Sequence, residues 1–203
     1  MNHLAAASIS EDFVVSTPRR REQGPQYPER WRGNMASALP PYFNADVLLP
    51  RLLFLVSPTC EVCVTGAISA AQAVLSLPRA EDFRLYILWL PVLEGDTPRA
   101  AEQAQVRLPA DDRLRHFWDH DLTLSRAYHR VLQLGQRPRP HRIAWDIFLL
   151  YGAGIVWNGA PPVPEFWMHQ LFLEDVPELD TTVLRRHLER RIHADTDRMD
   201  LPR

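Results

Sequence analysis

The chain has 203 residues, 46% of them hydrophobic, and carries a formal net charge of -2. That length fits one domain with additions at its ends, and the charge balance offers no footing for a nucleic-acid partner. Two cysteines are too few for a secreted disulfide framework, no signal-type apolar leader is present, and no run reaches the ~20 apolar residues of a membrane span. The expectation is therefore a soluble cytoplasmic protein with no membrane partner.

Residues 1–45 have no sustained hydrophobic period and are punctuated by Pro18, Pro25, Pro28, Pro40 and Pro41. They read as an N-terminal extension, partly irregular, with Trp31, Tyr42 and Phe43 as anchors onto a domain spanning 46–175. The run Leu52-Leu53-Phe54-Leu55-Val56 predicts a short buried strand. The Ala-rich stretch 64–77, with Ala67, Ala71, Val74 and Leu75 on one face, predicts a helix stopped by Pro78. Residues 83–90 read as a second strand, buried on both faces. Thr97-Pro98 supplies an N-cap followed by proline at the first helical position, which opens a helix over 98–106.

A short strand is expected over 114–118, then a helix capped by Asp121 and running through Leu132. After a loop over 135–140, residues 143–151 predict a third long strand. Gly152-Ala153-Gly154 reads as a hairpin turn into a strand Ile155-Val156-Trp157. Pro161, Pro162 and Pro164 break the chain before a helix expected near Glu165, packed by Trp167, Met168 and His169. Residues 176–203 read as a C-terminal amphipathic helix and tail, helical over 180–193 with Leu184, Leu188 and Ile192 inward. Strands alternating with helices imply parallel pairing through crossovers, and the late hairpin adds an antiparallel edge.

Chemistry concentrates at Cys60-Glu61-Val62-Cys63, the chain's only cysteines, placed directly after the first strand and at a helix start. Two thiols at this spacing form and open a disulfide readily, and a bridge closing so short a loop contributes little as a structural staple. All 23 basic residues are arginine, so a thiolate here depends on arginine, histidine or the helix end. A zinc site normally needs four ligands, and the chain has no second Cys pair; His116, His120 and His129 are not spaced as a finger or ribbon. The cluster His116, Trp118, Asp119 and His120 reads as a turn at a strand end.

A CxxC on a strand-to-helix turn, with strand-turn-strand-helix late in the chain, resembles the thioredoxin-like superfamily over residues 48–175. The resemblance implies a three-layer α/β sandwich with a mixed central sheet flanked by helices, extended by the N-terminal segment and the C-terminal helix. It also implies a thiol-disulfide oxidoreductase with Cys60 as nucleophile and Cys63 as resolving thiol, needing no cofactor. The partners would be an oxidised protein or small-molecule disulfide and a thiol electron donor.

The chain departs from the family at several positions. Pro58 and Thr59 precede Cys60 where thioredoxins carry tryptophan, and with Trp145 they are the candidate substrate-binding residues. The family's buried acid falls on Phe54, and its cis-proline falls on Asp146 or Trp145. Asp146 is thus a candidate catalytic residue, a proton acceptor for Cys63; the alternative is a strand cap paired with an arginine such as Arg142. Glu61, beside the nucleophile, works against a thiolate unless it points to water. Soft-metal or metalloid binding by the vicinal dithiol, and a non-catalytic interaction module, remain alternatives. A peroxidase is disfavoured, because the peroxiredoxin pattern has threonine where Ser57 stands.

Overall fold

Runs of residues buried on both faces build the centre of the molecule. The computed structural model describes residues 31, 35–77, 83–134, 142–171, 173–174 and 176–199. The prolines at 18, 25 and 28, Pro78 and the 135–140 loop lie outside the described residues. Strand β1 (Arg51–Val56) has every residue buried and sits mid-sheet, parallel to β2 (Arg84–Trp89) with Phe54 opposite Ile87. β2 in turn pairs in parallel with β3 (Leu114–Trp118). On its other side β1 runs antiparallel to β4 (Ile147–Tyr151), which pairs antiparallel with β5 (Phe166–His169). The strand order is β3-β2-β1-β4-β5.

One face of this sheet, with Leu52, Phe54 and Val56 of β1, packs beneath helices α2 (Glu61–Leu75) and α5 (Thr181–Met199) and the alanines of α3 (Pro98–Gln105). The opposite face, with Leu53 and Leu55, packs against α1 (Leu39–Ala45) and Tyr128 of α4 (Thr123–Val131). Coverage on both sides is why the parallel strands read as unbroken apolar runs rather than alternating ones. This is the three-layer architecture expected from the sequence, a mixed central sheet flanked by helices. Among the described residues no helix is long and apolar enough to cross a membrane.

Before the first strand, Pro40 and Pro41 open α1, whose Leu39 and Phe43 lie one turn apart and are fully buried. Trp31 is also buried, 6.4 Å from the Trp118 ring, whereas Tyr42 is exposed. The cap at Thr97 forms as read, its hydroxyl accepting from Ala100 N–H at 3.1 Å. Asp180 likewise caps α5, accepting from Thr182 and Val183 N–H, and the helix runs beyond residue 193 to Met199.

Four elements differ from the sequence reading. Helix α4 starts at Thr123 and is capped by the buried Asp119, not Asp121: its carboxylate accepts from the N–H groups of Thr123 and Ser125, both at 2.9 Å. β4 begins at Ile147 rather than 143, because Arg142 and Asp146 take left-handed backbone angles and Ala144 N–H bonds Ser125 O. Residues 155–157 form no strand. Asn44 takes both backbone groups of Trp157, and Arg51 takes the Ile155 carbonyl, so side chains replace the ladder. Finally, the stretch after Pro164 is strand β5, not a helix. Its large apolar residues alternate between the two cores, Phe166 and Met168 to one and Trp167 to the other.

Candidate active site

β1 and β2 are parallel, so both deliver their carboxyl ends to the same edge of the sheet. There the chain turns through residues 57–59 into α2, with extended backbone at Cys60 (φ -78°, ψ 103°) before the first helical turn. Cys60 is the N-cap. Its Sγ accepts from Cys63 N–H at 3.3 Å, the contact a serine hydroxyl makes in a conventional cap. Cys60 and Cys63 are joined as a disulfide, with their Cα atoms 5.3 Å apart. Cys63 is fully buried in the core beneath α2, while Cys60 is partly open to solvent.

Glu61 is exposed and its carboxylate pairs with Arg107. The guanidinium just past α3 donates to both oxygens, at 2.9 and 2.6 Å, and Thr65 adds a weaker contact at 3.3 Å. Hydrogen bonding from Arg107, aided by its charge, holds Glu61 below the usual glutamate range. The first turn of α2 thus carries a compensated charge beside Cys60. That meets the condition set from sequence, since the side chain is exposed.

The turn before Cys60 is gripped by a residue the sequence reading passed over. Asp96, buried in the segment between β2 and α3, accepts five hydrogen bonds. Ser57 hydroxyl and the N–H groups of Val92 and Leu93 meet one oxygen at 2.7–2.8 Å. The N–H and hydroxyl of Thr59 meet the other at 3.0 and 2.6 Å. Hydroxyl residues flanking Pro58 and an acid just ahead of the Thr97 cap were the available signals. They lie 37 or more residues apart and nothing local connects them.

The other candidates divide between edge and core. Pro58 is buried and Thr59 exposed. Phe54, at the position of the family's acid, is fully buried edge-on to Phe148 with ring centres 4.8 Å apart. Asp146 is buried just ahead of β4. The β1–β4 register, continued one residue past Leu55–Ile147, sets it opposite Val56 and so beside the strand end that leads to Cys60. Its backbone has φ 55° and its carbonyl accepts from Gln170 N–H; every described peptide bond is trans. Trp145 is partly buried and packs against both cores.

Gly66, one turn beyond Cys63, lets the Gln170 side chain come so close that an added Cβ would collide with it. α2 and the Asp146 segment are thereby drawn to one residue. His116 stacks on Trp89 and accepts its indole N–H at 3.2 Å. Among the described residues no group of three or more His, Cys, Asp or Glu side chains is placed to hold a metal ion.

Neither a protein-family model nor a curated protein matches the chain. Solved structures do. DsbF of Mycobacterium tuberculosis, in mixed oxidised and reduced forms, is 14% identical, covering 75% of this chain and 84% of that one with a TM-score of 0.43. A secreted M. tuberculosis disulfide oxidoreductase homologous to E. coli DsbE is 13% identical, covering 74% and 85% of the two chains with a TM-score of 0.39.

Proposed function

We propose that the protein is a thiol-disulfide oxidoreductase working through the Cys60/Cys63 couple. One observation carries the reading: the two sulfurs share a helix start, yet solvent reaches Cys60 while Cys63 is buried beneath it. That asymmetry supports a division of labour. Cys60, on the positive end of α2, is the thiolate that meets the substrate. It attacks one sulfur of a substrate disulfide, forming a mixed disulfide and releasing the other sulfur as a thiolate that takes up a proton. Cys63 then gives up its proton and attacks Cys60 Sγ, which closes the Cys60–Cys63 bond and frees the second substrate thiol. Substrate gains two electrons and two protons, and the protein loses them.

In this reading Asp146 accepts the Cys63 proton, supported by its burial and its place beside the end of β1. Exposed Thr59 and partly buried Trp145 border the approach to Cys60, with Pro58 shaping the turn beneath. A cellular dithiol of lower potential restores the reduced form, consistent with work in the cytoplasm.

The test is a titration of the couple against glutathione, with Cys60→Ser as control. A reversible two-electron transition near or below roughly -270 mV supports a reductase. Failure to form the intramolecular disulfide ends the proposal.

A further inference from the structure

We propose that Asp96 is a positioning residue for the redox step: it locks the 57–59 turn that aims Cys60, and its charge opposes a negative sulfur there, biasing the couple toward electron donation. The inference rests on the oxidoreductase reading above. Its physical basis is the direction of the contacts. A carboxylate is an acceptor-only group, and here five donors converge on it, three of them backbone N–H groups.

Two consequences follow for Cys60. First, Ser57 and Thr59 donate their hydroxyl protons to Asp96 and so have none left to donate to the sulfur. Second, Asp96 is buried and holds the residue adjacent to the nucleophile, so its charge is poorly screened. Other charged groups near the Cys60 turn include Glu61, compensated by Arg107 just past α3, exposed Glu94 beside the Gly95 that abuts Thr59, and Asp146 ahead of β4. A negative neighbour raises the cost of the Cys60 thiolate. It leaves the disulfide form untouched, so the oxidised state is favoured and the potential is lowered.

The clamp and the charge are separable. Asp96→Asn removes the charge and places an amide where five donors converge. Thr59→Val keeps the charge and removes the one side-chain contact at this exposed position, leaving only the backbone N–H of that residue on Asp96. Each is measured in the full chain. Cys60 alkylation by iodoacetamide is followed against pH in a Cys63→Ser background, and the potential and hydroxyethyl-disulfide reduction are measured with both cysteines present.

Asp96→Asn should lower the alkylation midpoint by roughly half to one pH unit and raise the potential. Thr59→Val should leave the midpoint in place and slow hydroxyethyl-disulfide reduction several-fold through a looser turn. An unchanged midpoint and potential in folded Asp96→Asn overturns the charge role, and unaltered reduction in Thr59→Val overturns the clamp. If Asp96→Asn does not fold, the midpoint is read in Asp96→Glu, which keeps the charge and displaces it. A midpoint and potential identical to wild type there, with Thr59→Val also unaltered, overturns the inference. A wild-type chain that never forms a reversible disulfide sinks the oxidoreductase reading instead, so the two failures are told apart.

Discussion

The two ends of β1 solve the same physical problem with opposite charges. At its start Arg51 is fully buried and donates to three backbone carbonyls, those of Phe43, Gly152 and Ile155, at 2.7–3.0 Å, with its guanidinium 4.1 Å from the Phe43 ring centre. Just past its end Asp96 receives N–H and hydroxyl donors. A cation satisfied by carbonyls closes one end, and an anion satisfied by donors closes the other. Burial pulls the Arg51 guanidinium below its usual value, opposed by nearby Tyr86 and Asp46. The difference lies in what is adjacent. Arg51 fastens α1 and the 152–157 segment, at the end of β1 opposite the disulfide, whereas Asp96 fastens the residue before Cys60. Charge burial by itself is therefore no sign of function; the end of the strand at which it sits decides.

The comparison is tested most severely at the reactive end. Cys60→Ser should reduce disulfide turnover to background, while Cys63→Ser should accumulate a mixed disulfide with substrate, seen by intact-mass spectrometry. If both single variants turn over like wild type, the reactive end has no redox role. At the other end, Arg51→Met orphans two buried carbonyls and one partly buried one, and should cost roughly 3 kcal/mol in denaturant unfolding. The glutathione midpoint of that variant should stay at the wild-type value. A shifted midpoint would mean the two ends are coupled, against the division drawn here.

A third prediction sharpens the active end. Asp146→Asn keeps a residue tolerant of φ 55° and removes the proposed proton acceptor. Stability should be nearly unchanged, and the resolving step should slow by roughly tenfold or more. Unchanged kinetics across pH would assign Asp146 to structure alone. The smallest effect is expected at the exposed Glu61–Arg107 pair. Arg107→Ala should slow Cys60 alkylation by less than about threefold at low salt, with the difference gone near 1 M salt. Because Arg107 holds the Glu61 carboxyl below its ordinary value, the pairing is present above the ordinary glutamate range and fades as pH falls through the lowered value. The variant's difference from wild type should therefore vanish in acid.

Much of the sheet was legible because burial on both faces leaves a composition signal. The run at 52–56 and the strand at 114–118 appear in place, and Thr97-Pro98 opens its helix as read. The CxxC was equally legible, since a helix start and its N-cap are local. Reading failed where a local pattern was overruled from a distance. Ile155-Val156-Trp157 has strand composition, but Asn44 and Arg51 claim its backbone. Phe166-Trp167-Met168-His169 looked like packing for a helix, yet β4 offered an open edge for it to pair with.

The sequence by itself determined that a dithiol follows a buried strand and opens a helix, because strand burial, proline placement and capping act over a few residues. Tertiary structure alone decided the electrostatics around that dithiol. Asp96 reaches Ser57 and Thr59 across two strands, Arg107 reaches Glu61 from the end of α3, and Asp146 comes beside β1 only through antiparallel pairing with β4. Coulombic and hydrogen-bonding partners are chosen by distance in space, and the fold sets that distance.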